Sequence, residues 1–338
     1  MAGTLAVGSL SRREFARTVS ALMALGVAAS ARAQAQSATS SSASASSAGG
    51  ASDATSLKTQ TDVDRLTTQV FVNGKGPYRF LVDTGAERSV LADSLVAELG
   101  LTPTGRANVQ GLILKIPTDL VTIDTLAYGS FSRTGLVVPV LPRNLLGADG
   151  YLGLDIINGS RITFDFRGQT IIIEKPDGHG GVTSDRGDTV VVVHGTGKGG
   201  RLRSNLCTVD GIDATAFIDT GSESTIGNLA LLKAFSAFDH PNLGPAVLQG
   251  ATGGEAPGRL TPIKTIVLQG LVFENGVIVI SDVPDFDQWG ISHRPAILIG
   301  MDFLRKFARV TVDYRRKEIT FEWASATTDN RPPKIGVV

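Results

Sequence analysis

Phe80-Leu81-Val82-Asp83-Thr84-Gly85-Ala86 ends a short apolar run in an aspartate, a threonine and a glycine, and Phe217-Ile218-Asp219-Thr220-Gly221-Ser222 repeats the pattern in the second half of the chain. Apolar, β-favouring residues that stop at a small hydroxyl residue and a glycine describe a strand entering a tight turn. Each turn carries a carboxylate at the strand's end. Two such carboxylates, one from each half of a duplicated chain, are placed to meet across a pseudo-two-fold axis.

Working outward, the residues around the two copies correspond in order. Val109-Gln110-Gly111 matches Leu248-Gln249-Gly250, Leu152-Gly153-Leu154-Asp155 matches Ile299-Gly300-Met301-Asp302, and Arg161-Ile162-Thr163-Phe164-Asp165 matches Arg309-Val310-Thr311-Val312-Asp313. The period of about 140 residues is that of a doubled domain, far longer than a solenoid repeat. The segment Leu91–Gly100 reads as a short amphipathic helix with Asp93 as its cap and Gly100 as its stop, and a second helix is expected from Asn228 to about Phe235. Strands are expected over Leu66–Val72, Tyr78–Val82, Val109–Ile116, Leu120–Leu126 and Gly135–Val140. Arg161–Phe166 and Thr170–Glu174 alternate around the turn Arg167-Gly168-Gln169 and form a hairpin.

These landmarks together resemble the aspartic peptidases, specifically the bacterial retropepsin-like branch, with two copies fused in one chain. The resemblance spans about Asp64 to Trp323. It implies an all-β, bilobal fold of β-barrel lobes related by a pseudo-two-fold axis, with a cleft between them and a late glycine-containing strand beside each catalytic loop. It implies that Asp83 and Asp219 are catalytic, that Thr84 and Thr220 bond across the axis, and that the substrate is a peptide or protein. Glu87 and Glu223 either touch the substrate backbone, as in viral relatives, or are solvated turn charges.

Two carboxyls within hydrogen-bonding range cannot both ionise readily, so they share a proton and titrate as a pair. The half-ionised pair holds a base for water and an acid for the scissile carbonyl, and needs neither cofactor nor metal. Gly85 and Gly221 let backbone N–H groups approach the carboxylates. The halves differ at Ala86 against Ser222. The expectation is that the Ser222 hydroxyl donates to Asp219 and favours its ionised form, leaving the proton on Asp83. Two flaps are expected over the cleft as substrate-binding hairpins: Val109–Pro117 with tip Gly111-Leu112-Ile113, and Leu248–Gly258 with tip Ala251-Thr252-Gly253-Gly254.

The rest of the chain sets boundaries. Its 338 residues are 42% hydrophobic, and 32 basic side chains balance 32 acidic ones, so no charge excess points to nucleic acid or an acidic membrane. Arg12-Arg13 before an uncharged run, with Ala33-Gln34-Ala35 at its end, reads as an export signal over 1–35. Ser11-Arg12-Arg13-Glu14-Phe15 fits the twin-arginine type, with a general-secretion signal as the alternative. The mature protein is then periplasmic or secreted, with no transmembrane segment, and is expected to be a monomer. A disordered Ser/Ala-rich spacer is expected over 36–63, an N-terminal lobe over 64–176, a linker over 177–188, a C-terminal lobe over 189–325 and a tail over 326–338.

Cys207 lies in an apolar segment and reads as a buried, inert thiol. Gly195–Gly200 fits a dinucleotide pattern without the helix it needs, so it reads as a hairpin turn. Asp282, Asp285 and Asp287 lack calcium-loop spacing and read as a solvated loop, and the four histidines form no zinc motif. A peptide-binding protein without turnover, or an envelope adaptor on the same fold, is the competing functional reading.

Overall fold

Alternation of apolar and polar residues builds the two halves along the same course. The computed structural model describes residues 54–58, 61–62, 65–129, 131–174, 190–196, 201–236 and 241–323. The proposed export signal, the linker over 177–188 and the C-terminal tail lie outside the described residues, as does most of the spacer. In the first half the elements are β1 (Ala54–Lys58), β2 (Thr61–Asp62), β3 (Arg65–Val72), β4 (Lys75–Val82), β5 (Val90–Ala92), α1 (Asp93–Leu99), β6 (Pro103–Gln110), β7 (Lys115–Tyr128), β8 (Phe131–Leu141), α2 (Arg143–Leu146), β9 (Gly150–Leu152), α3 (Leu154–Ile157), β10 (Arg161–Asp165) and β11 (Thr170–Glu174). The second half follows with β12 (Val190–His194), β13 (Arg203–Val209), β14 (Ile212–Ile218), β15 (Ile226–Gly227), α4 (Leu229–Phe235), β16 (Gly244–Gln249), β17 (Glu255–Leu268), β18 (Leu271–Ser281), α5 (Pro284–Gln288), β19 (Ala296–Ile299), α6 (Met301–Leu304), β20 (Arg309–Asp313) and β21 (Glu318–Glu322).

The fold is all-β and bilobal. The first lobe's sheet runs β2-β3-β4-β9-β5-β8-β7-β6 and the second's β13-β14-β19-β15-β18-β17-β16. From β3 and β13 onward the two orders match strand for strand. Each sheet curls on itself through one further pairing, β3 with β7 and β13 with β17, which removes an open edge that would otherwise invite other chains. In both lobes the strand leading to Asp-Thr-Gly pairs in parallel with the late strand: Val82 opposite Leu152, and Ile218 opposite Ile299.

A third sheet joins the halves in the order β1-β11-β10-β20-β21-β12. Its middle pair, β10 and β20, is antiparallel with Thr163 opposite Thr311, Arg161 opposite Asp313 and Asp165 opposite Arg309. That register is self-complementary, so the pairing turns about the two threonines, whose hydroxyls lie 2.8 Å apart. Ile162, Phe164, Val310 and Val312 point to one side and are buried in a core continuous with both lobes. The expected hairpin over Arg161–Glu174 is β10–β11.

Two boundaries differ from expectation. Within the segment expected as spacer, Ala54–Lys58 pairs with β11 and Thr61–Asp62 with β3, where the partner strand decides the conformation more than the residues' own preference. Asp93 is the first residue of α1 and not its cap. Ala92 holds the cap position without a side-chain bond, and the Asp93 carboxylate instead accepts from Ser94 and Arg143 amides. Gly100 does end α1, with φ of 66°. Asn228 caps α4 through the Leu231 amide, 2.9 Å away.

Candidate active site

Each Asp-Thr-Gly loop is anchored from behind by its own lobe. The Asp83 amide donates to Leu152 O and the Asp219 amide to Ile299 O, both at 3.0 Å. Leu154 and Asp155 amides reach Ala86 O and Glu87 O; Met301 and Asp302 amides reach Ser222 O and Glu223 O. Asp155 Oδ1 accepts from the Ser89 amide and hydroxyl, and the Asp302 carboxylate does the same for Thr225. Ser89 and Thr225 in turn accept from the amides of Gly153 and Gly300, each at 3.0 Å. A side chain at Gly153 would strike the Arg88 backbone at 2.5 Å, and one at Gly300 the Ser224 carbonyl at 2.6 Å. The late strand therefore passes directly beside the Asp-Thr-Gly loop. The support given by Ser89, Asp155, Thr225 and Asp302 was missed in the sequence, although Ser89 and Thr225 each stand six positions after their aspartate.

The two loops clasp one another across the lobes. Thr84 Oγ1 donates to Ile218 O at 3.1 Å and Thr220 Oγ1 to Val82 O at 2.7 Å; the Thr84 amide donates to Thr220 Oγ1 and the Thr220 amide to Thr84 Oγ1. Both hydroxyls are buried, where losing either partner would strand a desolvated polar group at a cost of about 1–3 kcal/mol. The clasp brings the carboxyls together. A Cβ on Gly85 would lie 2.7 Å from the Asp219 carboxyl, and one on Gly221 would collide with that of Asp83. Thr84, Gly85, Thr220 and Gly221 thus all sit at the junction of Asp83 and Asp219.

The carboxyls are not equivalent. Asp83 Oδ1 accepts from the amides of Gly85 and Ala86, at 2.8 and 2.9 Å, whereas Asp219 Oδ1 accepts from the Gly221 amide at 2.8 Å. The Ser222 amide approaches the Asp219 backbone oxygen instead, at 3.4 Å. Burial pushes the Asp219 carboxyl up, to about 8, and the Asp83 charge and a hydrogen bond between the two carboxyls add to the shift against the Gly221 amide. These bonds favour charge on Asp83 and the proton on Asp219, opposite to the expected assignment. The reason is the Ser222 hydroxyl, which donates to Ser224 O at 2.8 Å and not to Asp219. Tyr314 lies close enough to both carboxyls for their charges, added to burial, to raise its phenol.

Asp285, expected in a solvated loop, is half-buried on α5, near enough to Asp83 and Asp219 for their charges to interact. Burial pushes its carboxyl up to about 6, with Arg201 opposing and the charges of Asp83 and Glu87 reinforcing. Glu87 is paired with Arg201 at 2.8 Å. The hairpins expected as flaps are β6–β7 and β16–β17, with tips at 111–114 and 250–254. The tips touch: Gly111 abuts Thr252, and Thr252 Oγ1 donates to Leu114 O at 2.7 Å. Leu112 and Ile113, like Trp289, pack against a second-lobe cluster containing Leu248 and Phe286, while Gly253 faces Leu145 of α2. Each tip therefore packs against the other lobe, and Ala251 is packed against the main core.

Among the described residues no cluster of His, Cys, Asp and Glu has metal-binding geometry. Burial raises the Cys207 thiol to about 12, which leaves it un-ionised. Thr196 pairs with Arg203 around residues 197–200, which lie outside the described residues. No helix among the described residues is long and apolar enough to cross a membrane.

The sequence pattern of a family described as aspartyl protease matches residues 68–156 and 206–303, together more than half of the chain. Each matched range contains one of the two clasped loops. No curated protein matches the chain.

Proposed function

Because the chain belongs to the aspartyl protease family, we propose that it is an endopeptidase that hydrolyses peptide bonds with a water held between Asp83 and Asp219. The observation that carries this reading is the clasp of Thr84 and Thr220, which presses two carboxyls from different lobes into hydrogen-bonding range. Repulsion between them makes one proton serve both. Asp83, stabilised by two amides, takes a proton from water as the oxygen attacks the scissile carbonyl carbon. Asp219 gives its proton to the carbonyl oxygen, forming a neutral tetrahedral diol. Collapse of the diol returns a proton to the dyad, protonates the departing nitrogen and leaves a carboxyl and an amine. No covalent bond to the chain is needed at any step.

The flap tips Gly111-Leu112-Ile113 and Ala251-Thr252-Gly253 form the roof that must part for a peptide to enter, and their mutual contacts describe the closed position. Residues 1–35 are read as an export signal of the twin-arginine type, placing the mature enzyme in the periplasm or medium. Incubating the mature chain with a degenerate peptide library from acidic to neutral pH tests the reading. Cleavage by wild type that disappears in a folded Asp219→Asn variant is the expected result. A wild type that cleaves nothing, or cleavage that survives Asp219→Asn, removes it and favours a peptide-binding role.

A further inference from the structure

The inequality of the two carboxyls has a source outside both catalytic loops. Arg201, on the segment leading into β13, reaches across to the first lobe. Its Nε and Nη2 both donate to Gly85 O, at 3.1 and 3.0 Å, and its Nη1 donates to Glu87 Oε1 at 2.8 Å. The guanidinium lies over the Trp289 ring, 5.1 Å from its centroid, and only 18% of the side chain is exposed. The side chain is thus held on three sides by the carbonyl, the carboxylate and the indole. A planar fork suits this arrangement and an ammonium does not.

The carbonyl it grips belongs to the same peptide unit as the Ala86 N–H, which donates to Asp83 Oδ1 at 2.9 Å. Two N–H groups on that oxygen draw electron density toward it and make the N–H at the unit's other end a stronger donor. The cationic group and the polarised amide act in the same direction, toward charge on Asp83. In the second lobe the corresponding amide, that of Ser222, is directed at the Asp219 backbone oxygen. The other groups facing Asp83 are Asp219 across the axis, Asp285 from α5 and Tyr314 at the end of β20. Asp285 and Glu87 also face one another and Arg201, so their negative charges oppose what Arg201 does.

We infer that Arg201 is a positioning residue that makes Asp83 the charged member of the pair and leaves the shared proton on Asp219. The inference rests on the dyad reading above. It also makes the two halves of a duplicated site unequal through a residue that neither Asp-Thr-Gly loop contains.

The test follows the aspartate side-chain carboxyls by carbon-13 NMR over a pH titration in wild type, Arg201→Gln and Arg201→Lys, with Asp83→Asn assigning the signals. The pH profile of kcat/KM is measured beside it. In Arg201→Gln, Asp83 should titrate higher by about one pH unit, the scale of losing a nearby opposite charge, and the acid limb of the profile should rise with it. Arg201→Lys keeps the charge but not the fork, so its shift should have the same sign and be smaller. If Arg201→Gln does not fold, the Lys variant decides alone. Folded variants with lowered Tm but an unmoved Asp83 titration would show a brace without electrostatic consequence and overturn the inference. The NMR titration uses no substrate, so a wild type that cleaves nothing defeats the endopeptidase reading without touching this one.

Discussion

Gly85 and Gly221 leave no room for a side chain, since the space a Cβ would need is occupied by the opposite lobe's carboxyl. Gly85→Ala must therefore displace Asp219 by a fraction of an ångström or more. We expect kcat/KM to fall on the order of a hundredfold, as is typical of a small misplacement of reacting groups, with the fold retained by circular dichroism; near-normal turnover would mean that the carboxyls are not held this closely during catalysis. At this scale the sequence was informative about identity and uninformative about direction. Two aspartates after apolar strands marked the carboxyls that the fold brings together, and the difference between Ala86 and Ser222 marked the asymmetry. The rotamer that sends the Ser222 hydroxyl to Ser224 O reversed its sense, because a hydroxyl's choice among nearby acceptors depends on loop geometry that spacing does not encode.

Among the elements, α5 departs furthest from its reading. Pro284 and three nearby aspartates look like a solvated turn, yet the duplication carries the answer: in both lobes a short helix follows the long strand β8 or β18 and precedes the late strand β9 or β19. The order makes α5 the counterpart of α2, whose Leu145 meets the opposite tip at Gly253; composition alone does not place Asp285 beside Asp219. The Asp285 carboxyl, pushed up to about 6, is neutral at the acid limb and charged at the alkaline one. Asp285→Asn therefore removes a repelling charge from Asp219 only at higher pH, which eases ionisation of Asp219. The alkaline limb of the kcat/KM profile should move down by about half a pH unit, with the acid limb in place. Equal movement of both limbs, or of neither, would place Asp285 outside the dyad's field. The two tip hairpins, by contrast, were legible as elements, because glycine-rich tips between paired strands define a hairpin wherever it lies; that each tip packs against the other lobe is tertiary and was not.

Over the whole molecule the duplicated order of landmarks revealed two lobes, whereas β1 was hidden in a segment read as spacer, because a lone edge strand is specified by its partner β11 more than by its own residues. Buried carboxyls give the fold a common pH dependence. Asp219, Asp285 and Asp302 are all raised, in each case first by burial, so the folded state holds protons that the unfolded chain releases. Their contribution to stability is complete below the unfolded value of 3.8 and is lost as pH climbs through the folded values, to about 8 for Asp219. Tm should fall by several degrees between pH 5 and pH 8, and Asp219→Asn should flatten that slope; a Tm that rises over this range would contradict the burial described. The central claim is that two lobes supply one catalytic unit, and kcat for Asp83→Asn, Asp219→Asn and the double variant tests it most directly. A single unit predicts that each substitution alone costs as much as both together. Losses that multiply in the double variant, or one single variant that keeps most of its activity, would mean that the two aspartates do not act as a pair.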